Sequence, residues 1–231
     1  MRLHRFIGDF DLSKKTVELT DKAVINQIKN VFRLKPGSEL MIANGQKQEA
    51  LAKITAMSKT AIALDVVGVQ ENEKEPETYG ILYCAILKKE NFELVAQKAV
   101  EAGISEIVPM LTNRTVKTAL NIPRLEKIIK EAAEQANRGI VPNICHPITF
   151  EDALRQTKNN DSNIFFRPSG LPMREIKITG PRVGIFIGPE GGWDDQETEL
   201  AGKYQLNMAT LGKLILRSET AAIVASYLIV N

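Results

Sequence analysis

Two observations predict an α/β protein with a small β-rich domain in front of it. From residue 79 onward strand-like and helix-like stretches alternate, which calls for a mostly parallel sheet with covering helices. The first seventy residues instead hold several short strand-like runs, one helix and two turn signals, the pattern of a small β-barrel. A third observation places the ligand. The apolar run Ile185-Phe186-Ile187 enters Gly188-Pro189-Glu190-Gly191-Gly192-Trp193, and Asp194 and Glu197 follow at N-cap and N3 spacing, where a helix should begin. A strand that opens through glycines into a helix is where open α/β sheets bind ligands.

Composition narrows the class. The 231 residues, 44% hydrophobic and 25% charged, suit a soluble globular chain with one large domain or two modest ones. The apolar runs are too short for a membrane span, and the N-terminal MRLHRFIGDF has no signal-peptide core. Cys84 and Cys145 are the only cysteines. No disulfide framework is expected, and a reducing cytoplasm is the natural compartment. Cys145 and His146 are adjacent, which is not a chelating spacing, so no metal is expected. A net charge of +2 does not by itself argue for nucleic acid.

The elements follow in order. Strands are expected at Arg5 to Ile7, Thr16 to Leu19, Leu40 to Ala43, Glu49 to Ile54 and Ala61 to Val69, with a helix from Asp21 to Val31. Asn44-Gly45 marks a hairpin and Pro36-Gly37 a turn. Arg2, Arg5, Arg33, Lys35 and Lys47 gather here, either as a phosphate-contacting patch or as a solvated surface. The polar, proline-bearing run from Gln70 to Glu77 breaks periodicity. It sets a first domain at 1–72, a linker at 73–78 and a second domain at 79–231.

In the second domain Ile81 to Leu87 reads as a strand buried on both faces, with Lys88 and Lys89 at its carboxyl end. A helix carries Phe92, Val95, Ala96, Ala99 and Val100 on one face and ends at Gly103. Glu106 to Leu111 is a strand that Pro109 assigns to an edge or an end. Pro123 starts a helix that closes in the polar cluster Ala133 to Arg138. Asn163 to Arg167 is a strand closed by Pro168 and Gly170, and Arg182 to Ile187 delivers the glycine loop. Leu206 to Leu211 is the last strand. The loop after it, Leu214-Ile215-Leu216, is apolar where surface loops are polar, so it should be threaded into the protein. Ser218 is placed to cap the final helix, Glu219 to Ile229.

These stretches carry a resemblance. Ile187-Gly188-Pro189-Glu190-Gly191-Gly192 together with Leu211 to Ala221, and Gln97 to Gly103 with Ala133 to Arg138, resemble the RsmE family of bacterial methyltransferases that act on uridine N3 of 16S ribosomal RNA. The resemblance runs from Arg5 to the C-terminus. It implies a SPOUT-type catalytic domain with a trefoil knot and a mostly parallel sheet, preceded by a small PUA-like RNA-binding barrel. It also implies S-adenosylmethionine as cofactor, ribosomal RNA or the small subunit as partner, and a homodimer. Leu214 stands where the family often has arginine, Ser218 where threonine is commoner, and Ala102 where leucine is usual.

Methyl transfer from a sulfonium to nitrogen has a neutral leaving group, so alignment is the main task. The uracil imide must also lose a proton. On the resemblance, cofactor binding falls to Ile187, Gly188, Glu190, Gly191, Gly192, Leu211, Gly212, Leu216 and Thr220, largely through backbone groups. Arg217 is the choice for polarising uracil, and Glu219 is a candidate base. Glu190 either fills the i+2 position of a turn begun by Pro189 or meets the ribose or the methionine end. Arg2, Arg5, Arg33, Lys35, Lys88, Lys89 and Arg138 are the RNA-contact candidates. Rival readings are another SPOUT enzyme acting on a ribose 2′-hydroxyl or a tRNA base, and a non-catalytic RNA-binding assembly factor. A phosphate-binding loop is disfavoured, because neither G-x-x-x-x-G-K-[ST] nor G-x-G-x-x-G is present.

Overall fold

The computed structural model describes residues 3–116 and 119–231, apart from the side chain of Lys89. Its contacts divide into two compact units. One is Met1–Glu75 with Ala133–Val141, the other Pro76–Ala132 with Pro142–Asn231.

The first unit holds β1 (Arg5–Ile7), β2 (Thr16–Leu19), α1 (Lys22–Asn26), β3 (Glu39–Ala43), β4 (Gln48–Met57) and β5 (Ile62–Glu71). Asp21 starts α1 by accepting the N–H groups of Ala23 and Val24, and a wider turn, Gln27–Val31, continues it. Asn44 Oδ1 accepts the N–H groups of Gln46 and Gln48, and Gly45 takes φ +72°, so the hairpin forms where Asn-Gly predicts. The sheet order is β1-β3-β4-β5-β2. Register shifts at Leu51/Ala52 and Ile54/Ala56 bend β4 along β5. The expected barrel is therefore a curled five-stranded sheet whose edges, β1 and β2, do not pair with each other. Phe6, Leu40, Ile42, Ile54, Ile62 and Leu64 fill its core against Ile28.

Two buried ion pairs join segment 133–141 to this sheet. Arg5 pairs with Glu49 and donates to the Arg138 carbonyl at 2.9 Å. Glu49 also accepts from Asn72 and Gln70, each at 2.7 Å. Arg138 pairs with Glu75 at 2.6 Å, and Glu75 accepts the N–H groups of Gly139 and Ile140. Burial alone would raise both carboxyls, but the hydrogen bonds and charges of Arg5 and Arg138 outweigh it and hold both below the ordinary carboxylate value. Arg5 and Arg138 were candidates for RNA contact. The fold withdraws both from the surface, since both arginines are buried and each guanidinium is committed to a carboxylate.

The second unit holds β6 (Tyr79–Ala85), α2 (Lys89–Glu101), β7 (Glu106–Leu111), β8 (Asn143–Ile144), β9 (Ile148–Thr149), α4 (Phe150–Gln156), β10 (Ser162–Pro172), β11 (Arg182–Ile187), α5 (Asp195–Lys203), β12 (Asn207–Thr210) and α6 (Ser218–Val230); α3 is Ile122–Gln135. The strands run parallel in the order β12-β10-β11-β6-β7-β8, with β9 also on β7. Tyr83, Phe165 and Phe186 pack with Phe150, Leu154 and Leu206 at its centre.

Three expectations change here. Pro109 lies inside the sheet, not at an edge. Ser105 and Ile107 accept hydrogen bonds from the β8 side, so Pro109 turns its missing donor the same way, into the gap between the β8 and β9 pairings. β10 runs past Pro168 and Gly170. Its register against β12 jumps from Phe166 to Leu171, so residues 167–170 bulge out of the ladder. Gly170 is required there, because a Cβ would lie 2.3 Å from the Ala209 carbonyl carbon. α6 begins at Ser218 with Arg217 in the cap position and no side-chain cap bond, so Ser218 is the first helical residue and not the cap. At α5 the capping box forms as read, with Glu197 N–H to Asp194 at 2.7 Å and Asp194 N–H to Glu197 at 3.0 Å.

The Arg5–Glu49 pair yields a stability prediction. A carboxyl depressed in the fold contributes stability above its unfolded pKa and loses it as pH falls through the folded value. Arg5→Met leaves Glu49 buried without its counter-charge and should cost about 3–5 kcal/mol. Urea denaturation should show that loss near neutral pH, and the gap to wild type should narrow on acidification.

Candidate functional site

Four strand ends meet around one cavity of about 500 Å³ in the second unit. β11 contributes the glycine loop, β6 contributes Lys88, β10 contributes Phe166 to Pro168, and β12 contributes Thr210 and the loop through Leu216. The carboxyl edge of a parallel sheet is open because the strands end there while their backbone groups and helix N-termini still point outward.

Trp193 fixes the glycine loop. Its indole N–H donates to the Phe166 carbonyl at 2.9 Å, and its ring stacks on Phe165 at 4.4 Å and lies 5.2 Å from Phe150. Gly188 lies beneath that ring, where a Cβ would be 2.9 Å from it. Glu190 is exposed, and its Oε1 accepts the N–H of Lys88 at 3.1 Å, at the cap position of α2. A carboxylate at a helix N-terminus is electrostatically favoured. Arg114, which the sequence did not single out, donates to the Gly191 carbonyl at 2.8 Å. Its neighbour Asn113 binds Glu197 through its N–H at 2.8 Å and Asp194 through its side chain at 2.6 Å.

Ile187, Gly188, Glu190, Gly192, Leu211 and Leu216 line the cavity as expected, and so do Arg217 and Glu219. Three other expected cofactor residues do not. Gly191 turns away toward Arg114, Gly212 is an exposed turn residue at φ +137° bonded to Thr210, and Thr220 is exposed on α6. Glu219 is buried in the second position of α6 and forms no side-chain hydrogen bond or ion pair among the described residues. Arg217 is exposed and does not pair with it.

Leu214 and Ile215 depart from expectation more strongly. They line the cavity but are 83% and 85% exposed, so these two apolar side chains are not covered within this chain. Arg167 was missed. It lines the cavity from the β10 bulge, and an arginine at a strand's carboxyl end just before proline was the available signal. Of the expected RNA contacts, Arg33 and Lys35 are exposed on the first unit, and Lys88 is exposed at the cavity. Arg2 and the side chain of Lys89 lie outside the described residues.

The lining suits an adenosyl sulfonium. Ile187, Leu211 and Leu216 provide apolar wall beside open backbone for adenine, and two carboxylates and three cations provide for a charged amino-acid end. Nucleophilic cysteine chemistry does not fit. Burial pushes the Cys84 thiol far up, and burial together with Glu106 pushes Cys145 up to about 11. Among the described residues no group of three His, Cys, Asp or Glu is placed to hold a metal, and no helix is long and apolar enough to cross a membrane.

Known proteins resemble this chain in sequence and in fold. Residues 74–230 match the RNA methyltransferase domain family and residues 12–67 the RNA methyltransferase PUA domain family. Proteins named ribosomal RNA small subunit methyltransferase E are similar throughout. That of Rickettsia conorii is 33% identical over 90% of this chain and 87% of its own length. That of Mesomycoplasma hyopneumoniae is 36% identical over 86% of this chain and 87% of its own. Among solved structures, a putative methyltransferase from Legionella pneumophila with bound SAM superposes with TM-score 0.91, at 28% identity, over 99% of this chain and 97% of that one. A ribosomal RNA small subunit methyltransferase E from Neisseria gonorrhoeae bound to S-adenosyl methionine gives 0.90, at 27% identity, over 97% and 95%.

Trp193 is the single tryptophan of the chain, so its fluorescence reports the loop. Gly188→Ala should displace the indole, shift its emission to the red and destabilise the second unit by about 1–3 kcal/mol. Gly191→Ala should leave the spectrum unchanged, since its Cβ would meet only Arg114 side-chain atoms at 3.4 and 3.5 Å.

Proposed function

The chain belongs to the RNA methyltransferase family that includes ribosomal RNA small subunit methyltransferase E, and from that premise we propose that it methylates N3 of a uridine in small-subunit ribosomal RNA, with S-adenosylmethionine as donor. The observation that carries this reading is the shared cavity of the two loops. The glycine loop and the Leu211 to Arg217 loop, which the family pairs in sequence, face one space sized for an adenosyl group.

When bound, the cofactor supplies a methyl group on a positively charged sulfur. The chain's residues then have three tasks. The first is to hold the adenosine: Ile187, Leu211 and Leu216 form its wall, and Gly188 and Gly192 keep side chains out of the way. The second is orientation, which converts an encounter in solution into one geometry. Trp193 and the Glu190–Lys88 bond stiffen one loop for that purpose. The third is the uracil proton. Glu219, buried at the start of α6 without a partner of its own among the described residues, is placed to accept it. Arg217, exposed beside it, would stabilise charge on the uracil oxygens.

The same reading assigns 1–72 to RNA binding, with Arg33 and Lys35 as exposed phosphate contacts and Lys88 at the cavity mouth, joined by 73–78 to the catalytic domain 79–231. It includes the trefoil knot and a homodimer. The exposed apolar side chains of Leu214, Ile215, Tyr227 and Leu228 support the dimer. A ribosomal RNA substrate sets the work in the cytoplasm.

Transfer of a labelled methyl group to small ribosomal subunits, followed by nucleoside analysis, tests the proposal. N3-methyluridine is expected, and methyl on a ribose 2′-oxygen would overturn it. In the same assay Glu219→Gln should lower kcat by roughly 10²-fold, with cofactor affinity nearly unchanged.

A further inference from the structure

Arginines in this chain are used in two ways. Arg5 and Arg138 are buried and each is matched by a carboxylate. Arg167 is half-buried, yet its guanidinium forms no hydrogen bond or ion pair among the described residues. Its nitrogens are accessible and its donors uncommitted, so the guanidinium can meet an anion that enters the cavity without first giving up a partner.

The backbone holds Arg167 there deliberately. The Phe166 carbonyl just before it accepts the Trp193 indole, and the Gly170 approach to Ala209 ends the bulge it sits on. Both ends of the 167–170 bulge are thus fixed, and Arg167 lines the cavity between the glycine loop and the Leu211 to Leu216 loop. The other two cavity cations, Lys88 and Arg217, are exposed. Arg167 is therefore the least exposed of the three cations that line the cavity. A nearby carboxylate also suits a zwitterion: Glu190 faces the same space and would accept an ammonium.

We propose that Arg167 binds the carboxylate at the amino-acid end of the donor cofactor, through the paired donors of its guanidinium. The assignment rests on the proposed use of S-adenosylmethionine, and it makes the β10 bulge the third wall of the site beside the two loops. A guanidinium–carboxylate contact is planar and two-pronged, so it would fix direction as well as supply charge.

Calorimetric titration of the full-length chain tests this without relying on turnover. S-adenosylhomocysteine and S-adenosylmethionine carry the carboxylate; 5′-methylthioadenosine keeps the adenosine but lacks it. Arg167→Ala should weaken the first two by about 10- to 100-fold, the range of a charged hydrogen-bonded contact. It should leave 5′-methylthioadenosine within about twofold of wild type and the melting temperature unchanged. Arg167→Lys should fall between, having the charge without the fork. Equal weakening of all three ligands would mean a structural role and overturn the proposal. So would unchanged cofactor affinity with a raised KM for RNA, which would assign Arg167 to the nucleic acid. If the wild-type chain bound the cofactor but methylated no RNA, the proposed function would fall while the Arg167 assignment stood.

Discussion

The site depends on one anchored side chain, Trp193. Glycine-rich loops are entropically expensive to order, because each glycine gives up more backbone freedom than any other residue. Here a large aromatic at the end of the loop is driven into the core against Phe165 and Phe150, and its N–H finds the Phe166 carbonyl. That single bond ties the loop after β11 to the neighbouring strand β10, whose bulge carries Arg167. Two walls of the cavity are therefore set by one contact. Gly188 is small because the indole lies over it, not because a phosphate needs its N–H.

Charge is handled by the same logic of pairing. In the first unit the Arg5–Glu49 and Arg138–Glu75 pairs are almost dry, and each carboxylate is also hydrogen-bonded by amides. Such pairs add little beyond an apolar substitute, but losing one partner is costly. They work as a specification of which segment docks where, and residues 133–141 are thereby part of that unit despite their distance in sequence. In the second unit the cavity cations and carboxylates are left unsaturated or half-used. That contrast in burial and partnering separates structural from functional charge better than residue type does.

Much of this was legible in the sequence. Alternating strands and helices, the hairpin at Asn44-Gly45 and the capping box at Asp194 and Glu197 are local signals, and local physics forms them as read. What the sequence hid was non-local. Nothing near Arg5 or Arg138 says that Glu49 and Glu75 wait for them. Pro109 breaks a rule about sheet interiors only until the neighbouring strand proves to be interrupted. Pro168 and Gly170 looked like a stop, because a bulge and a strand end use the same residues and differ only in whether a partner strand resumes. The shift of α6 by one residue, with Arg217 in place of Ser218 at the cap, matters more than its size. It moves Glu219 one position further into the helix, where it is buried in the cavity wall.

Glu190 had seemed to demand a choice between a turn residue and a ligand contact. The geometry makes the two compatible. A single carboxylate oxygen accepts the Lys88 N–H, which caps α2 from across the sheet, and the other oxygen has no partner among the described residues. A carboxylate pinned by one oxygen presents the second in a fixed direction, so it need not reorganise when a ligand arrives. Because Lys88 stands at the end of β6 and Glu190 at the end of β11, that bond also holds two adjacent strand ends at a set spacing. Methyl transfer from a sulfonium, whose leaving group is a neutral thioether, asks of a protein mainly alignment. A loop fixed at Trp193, at Gly191 by Arg114, and at Glu190 by a helix start is built for that demand.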